Sequence, residues 1–163
     1  MNLVYVNLRN KSSLYLDQPR NIEAVGSRTL AAIGSTLWKD KNYTIVHLPT
    51  ILEGLVIGIV PYRLQSTIDL AIDIDGKSTV YIAFHPGSYS NNITDWLQIN
   101  NWQELESFIV YRGENGLEMM SHIWSKEFLS KEKISLTSDL EMGTIAVFIE
   151  SGKLFCKNVF NKR

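Results

Sequence analysis

The stretch Ile68-Asp69-Leu70-Ala71-Ile72-Asp73-Ile74-Asp75-Gly76 decides the fold class. Every even position from 68 to 74 is a branched aliphatic, and every odd one is acidic or small. A β-strand sends alternate side chains to opposite faces, so this period of two builds a strand with one dry face and one wet face. Asp75-Gly76 reads as a turn whose glycine tolerates positive φ. Thr79-Val80-Tyr81-Ile82-Ala83-Phe84 then reads as the returning strand of a hairpin from about Thr67 to Phe84.

The same reading extends in both directions. Gly143-Thr144-Ile145-Ala146-Val147-Phe148-Ile149 is rich in β-branched residues, Ser151-Gly152 forms a turn, and Leu154-Phe155-Cys156 begins the return of a second hairpin. Further strands are expected at Leu3–Leu8, Tyr43–Leu48, Leu55–Val60, Phe108–Arg112, Met119–Trp124 and Ile134–Leu136. Between them stand turn residues: Leu48-Pro49, Val60-Pro61, His85-Pro86-Gly87, Gly113-Glu114-Asn115-Gly116 and Ser138-Asp139. Helical periodicity is scarce. Gly26 and Ser27 interrupt the one stretch, Ile22 to Ile33, that could form a short helix, and Asn101 to Ser107 fits a single turn.

Many short strands with closely spaced turns predict an all-β fold, a two-sheet antiparallel β-sandwich of jelly-roll type. With no repeat and no linker, residues 1–163 read as one domain. The expected inter-sheet core comprises Ile68, Leu70, Ile72, Ile74, Val80, Ile82, Phe84, Ile145, Val147 and Ile149.

Composition narrows the function classes. Hydrophobic residues make up 45% and charged residues 20%, the balance of a folded domain. A chain of this length buries roughly 70% of its unfolded surface, so its core needs no metal or disulfide. Cys156 is the single cysteine, which excludes an internal disulfide and a multi-cysteine zinc site. Sixteen basic against seventeen acidic residues leave a net charge of -1, without the basic excess that duplex nucleic acid demands. The start, Met1-Asn2-Leu3-Val4-Tyr5-Val6, has no basic region and no apolar core of an export signal. The longest apolar run, Leu55 to Val60, is far short of the ~20 residues of a membrane span. The expectation is therefore no nucleic acid, no membrane span and a cytoplasmic chain by default.

Motifs for chemistry are sparse. Gly54-x-x-x-Gly58 sits in an apolar strand segment, where packing accounts for it better than a nucleotide does. Asp73-Ile74-Asp75-Gly76 has the look of a calcium loop, but Ala71 and Ile82 occupy the positions of the first and last ligands. His47, His85 and His122 lie on three separate elements, and Cys156 sits among apolar residues. No cofactor and no metal is expected.

Aromatic residues are more informative. Trp38, Trp96, Trp102 and Trp124, with Tyr62, Tyr81, Tyr89 and Tyr111, are a generous supply for one small β domain. A ring exposed on a β surface stacks on the C–H face of a sugar, while neighbouring amides and charges bond the hydroxyls. Trp96 and Trp124, each beside an aliphatic residue, read as core. Tyr62, Tyr89 and Trp102, set among polar residues, are the candidates for the surface. In a sandwich, recognition falls to the loops at one end or to a concave sheet face. If Leu55–Val60 and Thr79–Phe84 run parallel in space, the loops Pro61–Gln65 and His85–Thr94 emerge together. Tyr62, Arg63, His85, Tyr89, Asn91 and Asn92 would then form the ligand-binding set.

Several stretches, in order and spacing, resemble a known group of modules. They are Tyr43-Thr44-Ile45, Leu48-Pro49-Thr50-Ile51-Leu52-Glu53-Gly54, Thr79-Val80-Tyr81-Ile82-Ala83, Asp95-Trp96-Leu97 and Trp124-Ser125-Lys126-Glu127-Phe128. Together they are similar to the galactose-binding-like jelly rolls that accompany catalytic domains in secreted bacterial proteins, many of them polysaccharide-active. The resemblance covers about Tyr43 to Ile149 and departs after Ala83, where Phe84-His85-Pro86-Gly87 stands in place of an acidic residue and an arginine. It implies the sandwich fold, carbohydrate or cell-surface recognition, and a secreted location.

The resulting expectation is a non-catalytic, lectin-like binding module with a glycan or protein partner. The alternative is a structural or assembly subunit of a viral, phage, toxin or surface particle. Sheet edges and flat faces lend themselves to such assembly, so a homo-oligomer is open on this reading.

Overall fold

The computed structural model describes residues 3–7, 14–17, 30–38, 41–58, 68–74, 76–85, 91–137, 140, 144–150 and 153–158. Strands dominate: β1 (Leu3–Asn7), β2 (Leu14–Asp17), β3 (Thr44–His47), β4 (Val56–Gly58), β5 (Ile68–Ile74), β6 (Ser78–Phe84), β7 (Gln103–Arg112), β8 (Glu118–Phe128), β9 (Glu132–Leu136), β10 (Ile145–Ile149) and β11 (Lys153–Asn158). A 3-10 turn, Thr50–Leu52, and a helix α1, Asn92–Ile99, complete the described elements. The strands form a five-stranded sheet, ordered β2-β1-β11-β5-β9, and a six-stranded sheet, ordered β3-β7-β8-β6-β10-β4. Every strand pairing among the described residues is antiparallel. The all-β expectation stands in this form.

Neither expected hairpin forms. β5 pairs with β11 and β9, whereas β6 pairs with β8 and β10, so the chain changes sheet at Gly76. It changes sheet again between β10 and β11. The apolar patterns give the reason. β6 is buried at every position except Thr79, and β10 at every position, so these neighbours are covered on both faces. The sequence of β5 alternates with Asp69 and Asp73, and that of β11 with Lys153 and Lys157. Laid beside β6 or β10, either would carry charges into a doubly covered layer at a cost of several kcal/mol, roughly. Each is placed in the other sheet instead. True hairpins are β1–β2 and β7–β8, the latter closed by the predicted turn at Gly113–Gly116.

Residues of both sheets meet in one hydrophobic cluster, with Leu70, Ile72, Ile74, Ile134 and Leu136 from the first and Val80, Ile82, Phe84, Ile123, Val147 and Phe148 among those from the second. The arrangement is sandwich-like. Of the ten expected core residues, all but Ile68 are buried; the side chain of Ile68 lies outside the described residues.

Three other expectations change. The stretch Asn101 to Ser107 fits a single helical turn in sequence, but Gln103 onward is extended in β7. The polar segment ending at Thr94 is partly helical, since α1 starts at Asn92. Gly54 precedes β4 rather than lying in it, and turns with φ 78°. The helix considered at Ile22–Ile33 falls mostly outside the described residues, and from 30 to 33 the chain is not helical.

An aromatic trio closes one side of the six-stranded sheet. Trp38 meets Tyr43 and Tyr111 edge-on, with centroids 5.9 and 5.0 Å apart, and the two tyrosines stack at 5.7 Å. Gly113 leaves room for this cluster, because a Cβ there would collide with the Tyr43 ring. Gly113→Ala should therefore cost about 1–3 kcal/mol, the range for overpacking, read as a lower urea midpoint. An unchanged midpoint would mean that Tyr43 yields freely.

Burial, and secondarily the Glu150 carboxylate, pushes the Tyr81 phenol above its usual range. The fold thus favours the neutral phenol, and this contribution is complete below the unfolded-state value of 10.0 and lost as pH rises through the raised folded value. Wild-type stability should fall as pH rises above about 10 more steeply than that of Tyr81→Phe. Parallel urea titrations across that range check it.

Candidate functional site

The clearest constellation is built around the end of α1. Ile93 and Leu97, four residues apart, are buried and seat the helix on the core. At its start the Asp95 N–H and the Thr94 hydroxyl both donate to the Asn91 carbonyl, at 2.9 and 3.0 Å. At its end the Trp102 N–H donates to the Leu97 carbonyl at 2.9 Å, and the Asn101 N–H to the Gln98 carbonyl at 3.2 Å. These crossed bonds are a Schellman cap, and Asn101 supplies its left-handed residue at φ 66°. The cap also joins the residue after the turn to the last helical turn by an apolar contact. Here that contact is Trp102 against Trp96, with centroids 6.2 Å apart.

Asparagine tolerates this conformation and glycine prefers it, whereas a β-branched residue resists it. Asn101→Gly should keep the fold at or slightly above wild-type stability. Asn101→Val should lose roughly 1–2 kcal/mol. Equal urea midpoints for the two variants would contradict the cap.

Trp102 in turn meets the ring of Phe128 edge-on at 6.1 Å. Lys126, two residues earlier on β8, donates from Nζ to the Asn100 carbonyl at 2.6 Å, and its ammonium lies 5.3 Å from the centre of the Phe128 ring. A cation at a helix C-terminus complements the negative end of the peptide dipoles. The Asn100 amide donates to the Trp96 carbonyl at 2.8 Å, which fixes the same corner from the other side. Between this corner and the edge strand β9 opens a cavity of about 260 Å³, lined by Trp96, Asn100, Trp102, Lys126, Phe128 and residues Glu132 to Ser135. Trp96 is its half-buried ring, while Trp102 and Phe128 are 5% and 3% exposed. Trp96 was expected in the core and Trp102 was a surface candidate, so the two roles are nearly exchanged. Trp124 is in the core, as expected. The readable signal was the spacing Trp96-Leu97-Gln98-Ile99-Asn100-Asn101-Trp102, a helix end with Asn at the cap and an aromatic on each side.

A second hollow, of about 380 Å³, lies at an irregularity in β7, where pairing with β8 slips between Glu104 and Phe108. His122 Nδ1 lies 3.0 Å from a Glu104 carboxylate oxygen there, and His47 packs on Phe108 at 5.3 Å. Among the described residues, no group of three or more His, Cys, Asp or Glu could hold a metal ion. No helix among them is long and apolar enough to cross a membrane.

The residues expected to bind ligand are placed as follows. Tyr62, Arg63 and Tyr89 lie outside the described residues. His85, half-buried, directly follows β6, and Asn91 and Asn92, both exposed, start α1. β4 and β6 both run antiparallel to β10, hence parallel to each other, and their C-terminal ends lie toward Ile145. The strand directions required for convergence are thus present. The Trp96 cavity is elsewhere: Phe128 stands opposite Ser78 at the start of β6, a strand length, about 20 Å, from His85 at its end.

Comparison with protein-family models, with curated proteins and with solved structures returned no match for this chain.

Proposed function

We propose that the chain is a non-catalytic binding module of galactose-binding-like, jelly-roll type that recognises carbohydrate. The observation that carries this reading is the cavity at the end of α1. There an accessible tryptophan ring, Trp96, stands beside a fixed ammonium, Lys126, with Asn100, Glu132 and Ser135 along the same lining. A sugar ring has a flat C–H face and a polar perimeter, and this lining offers both complements. The volume, about 260 Å³, lies just below the range that accommodates drug-sized ligands and suits one sugar ring or a chain end. Glu132 is the single carboxylate among the described lining residues, whereas glycoside hydrolysis draws on two.

The loop residues Tyr62, Arg63, His85, Tyr89, Asn91 and Asn92 form the alternative recognition surface in this proposal. A glycan array probed with wild type, with Trp96→Ala and with the double variant Tyr62→Ala, Tyr89→Ala separates the two. Binding lost in Trp96→Ala and kept in the double variant places recognition at the cavity. The reverse pattern moves it to the loops, and no glycan bound by wild type ends the carbohydrate reading.

A second reading, an assembly subunit, draws on a different observation. Phe108 and Met120 are 38% and 39% exposed on adjacent strands, with Val110 opposite Met120 in the register. That apolar strip predicts self-association in sizing chromatography, whereas a monomer with glycan affinity favours the module.

A further inference from the structure

The same corner carries information about the charge of its ligand. Among the described lining residues, two lysines, Lys126 and Lys133, stand against one carboxylate, Glu132. Asp73 stands opposite Lys133 in the β5–β9 register, so the argument rests on Lys126. Among the described residues no carboxylate holds its ammonium, whose contacts are the neutral Asn100 carbonyl at 2.6 Å and the Phe128 ring at 5.3 Å. An ammonium has three donors, and the Asn100 carbonyl occupies one. The remaining donors belong to a half-buried cation that two elements, the capped end of α1 and the C-terminal part of β8 where it pairs with β6, hold at the cavity wall.

From this geometry we propose that the ligand is an acidic saccharide, a uronate-bearing chain whose carboxylate pairs with Lys126 while a sugar face lies on Trp96. The proposal rests on the carbohydrate reading above and adds to it the charge of the ligand. The positions agree with such a ligand: ring and cation line one cavity, and a pyranose uronate likewise carries its carboxylate at the rim of the ring. A charge-assisted bond to a partly desolvated, pre-positioned ammonium is stronger than a neutral one. It is also screened by salt, which a neutral sugar on the same ring is not.

Isothermal titration of wild type with oligogalacturonate and with the uncharged oligogalactan of matched length, each at low and high sodium chloride, tests this. The expected result is a preference of about tenfold or more for oligogalacturonate at low salt, shrinking at high salt, with galactan affinity unmoved by salt. Lys126→Met should bring oligogalacturonate down to the galactan level, and Lys126→Arg should retain the preference. Because Lys126 also caps α1, the circular-dichroism melt of each variant accompanies the titration. Equal affinity for the two sugars, or a preference that survives both salt and Lys126→Met, overturns the inference and leaves the carbohydrate reading standing. Binding of neither sugar, nor of any glycan on the array, overturns the reading as well.

Discussion

Trp38→Ala should lower the stability of the protein by about 3–5 kcal/mol, the cost of emptying a large aromatic site in a packed core. Trp38 is 3% exposed, and its indole N–H donates to the Ile145 carbonyl at 2.8 Å across 107 residues of chain. The bond fastens the segment before β3 to the first residue of β10, the strand that is covered on both faces. The same ring is an edge-on partner of both Tyr43 and Tyr111, so truncation removes two aromatic contacts and one buried bond together. Trp38→Phe separates these contributions. It keeps a ring and loses the donor, with an expected cost of about 1–3 kcal/mol. Chemical unfolding followed by circular dichroism measures both. A loss below about 1 kcal/mol for the alanine variant would contradict the packing described here.

Under the proposed carbohydrate reading, Trp96→Ala should weaken saccharide binding by about 1–3 kcal/mol, roughly fivefold to 150-fold. Trp96 is half-buried against the core, so its removal costs stability as well, but less than removal of Trp38. The two effects are separable because titration below the melting range reads affinity of the folded fraction alone. A variant that folds and binds like wild type excludes Trp96 as the stacking ring.

Much of the fold is legible in the residues, and the failures share one physical cause. The alternation at Ile68–Ile74 and the unbroken apolar run at Ile145–Ile149 identify strands because side-chain period and burial are local properties. Which strand pairs with which is not local. Asp75-Gly76 and Ser151-Gly152 have the chemistry of hairpin turns, yet β5 and β6, and likewise β10 and β11, belong to different sheets. The distinguishing signal was present: one strand of each pair is apolar on both faces and the other on one only, so the two cannot be neighbours in a doubly covered sheet. Helix α1 leaves a weak periodic signal because it is only eight residues long, about two turns. Its apolar stripe is short, Ile93, Trp96 and Leu97, and Asn91, Asn92 and Thr94 read as loop unless Asn101 is taken as the cap.

The site divides in the same way. The strand directions of β4 and β6 are those that the loop reading requires, while Tyr62, Arg63 and Tyr89 themselves lie outside the described residues. The cavity at Trp96 could not be read from neighbours in sequence, since it joins the end of α1 to Lys126 on β8 and to the edge strand β9.

The most direct test is a two-dimensional NMR titration that follows the four tryptophan indole N–H signals during addition of oligogalactan and oligogalacturonate. Trp96 and Trp102 line the cavity, whereas Trp38 is buried with its indole bonded to Ile145 and Trp124 lies in the core. The indole signals of Trp96 and Trp102 should shift in a saturable manner while those of Trp38 and Trp124 stay in place. Saturable binding that leaves the Trp96 and Trp102 signals unmoved would contradict a saccharide site at the end of α1.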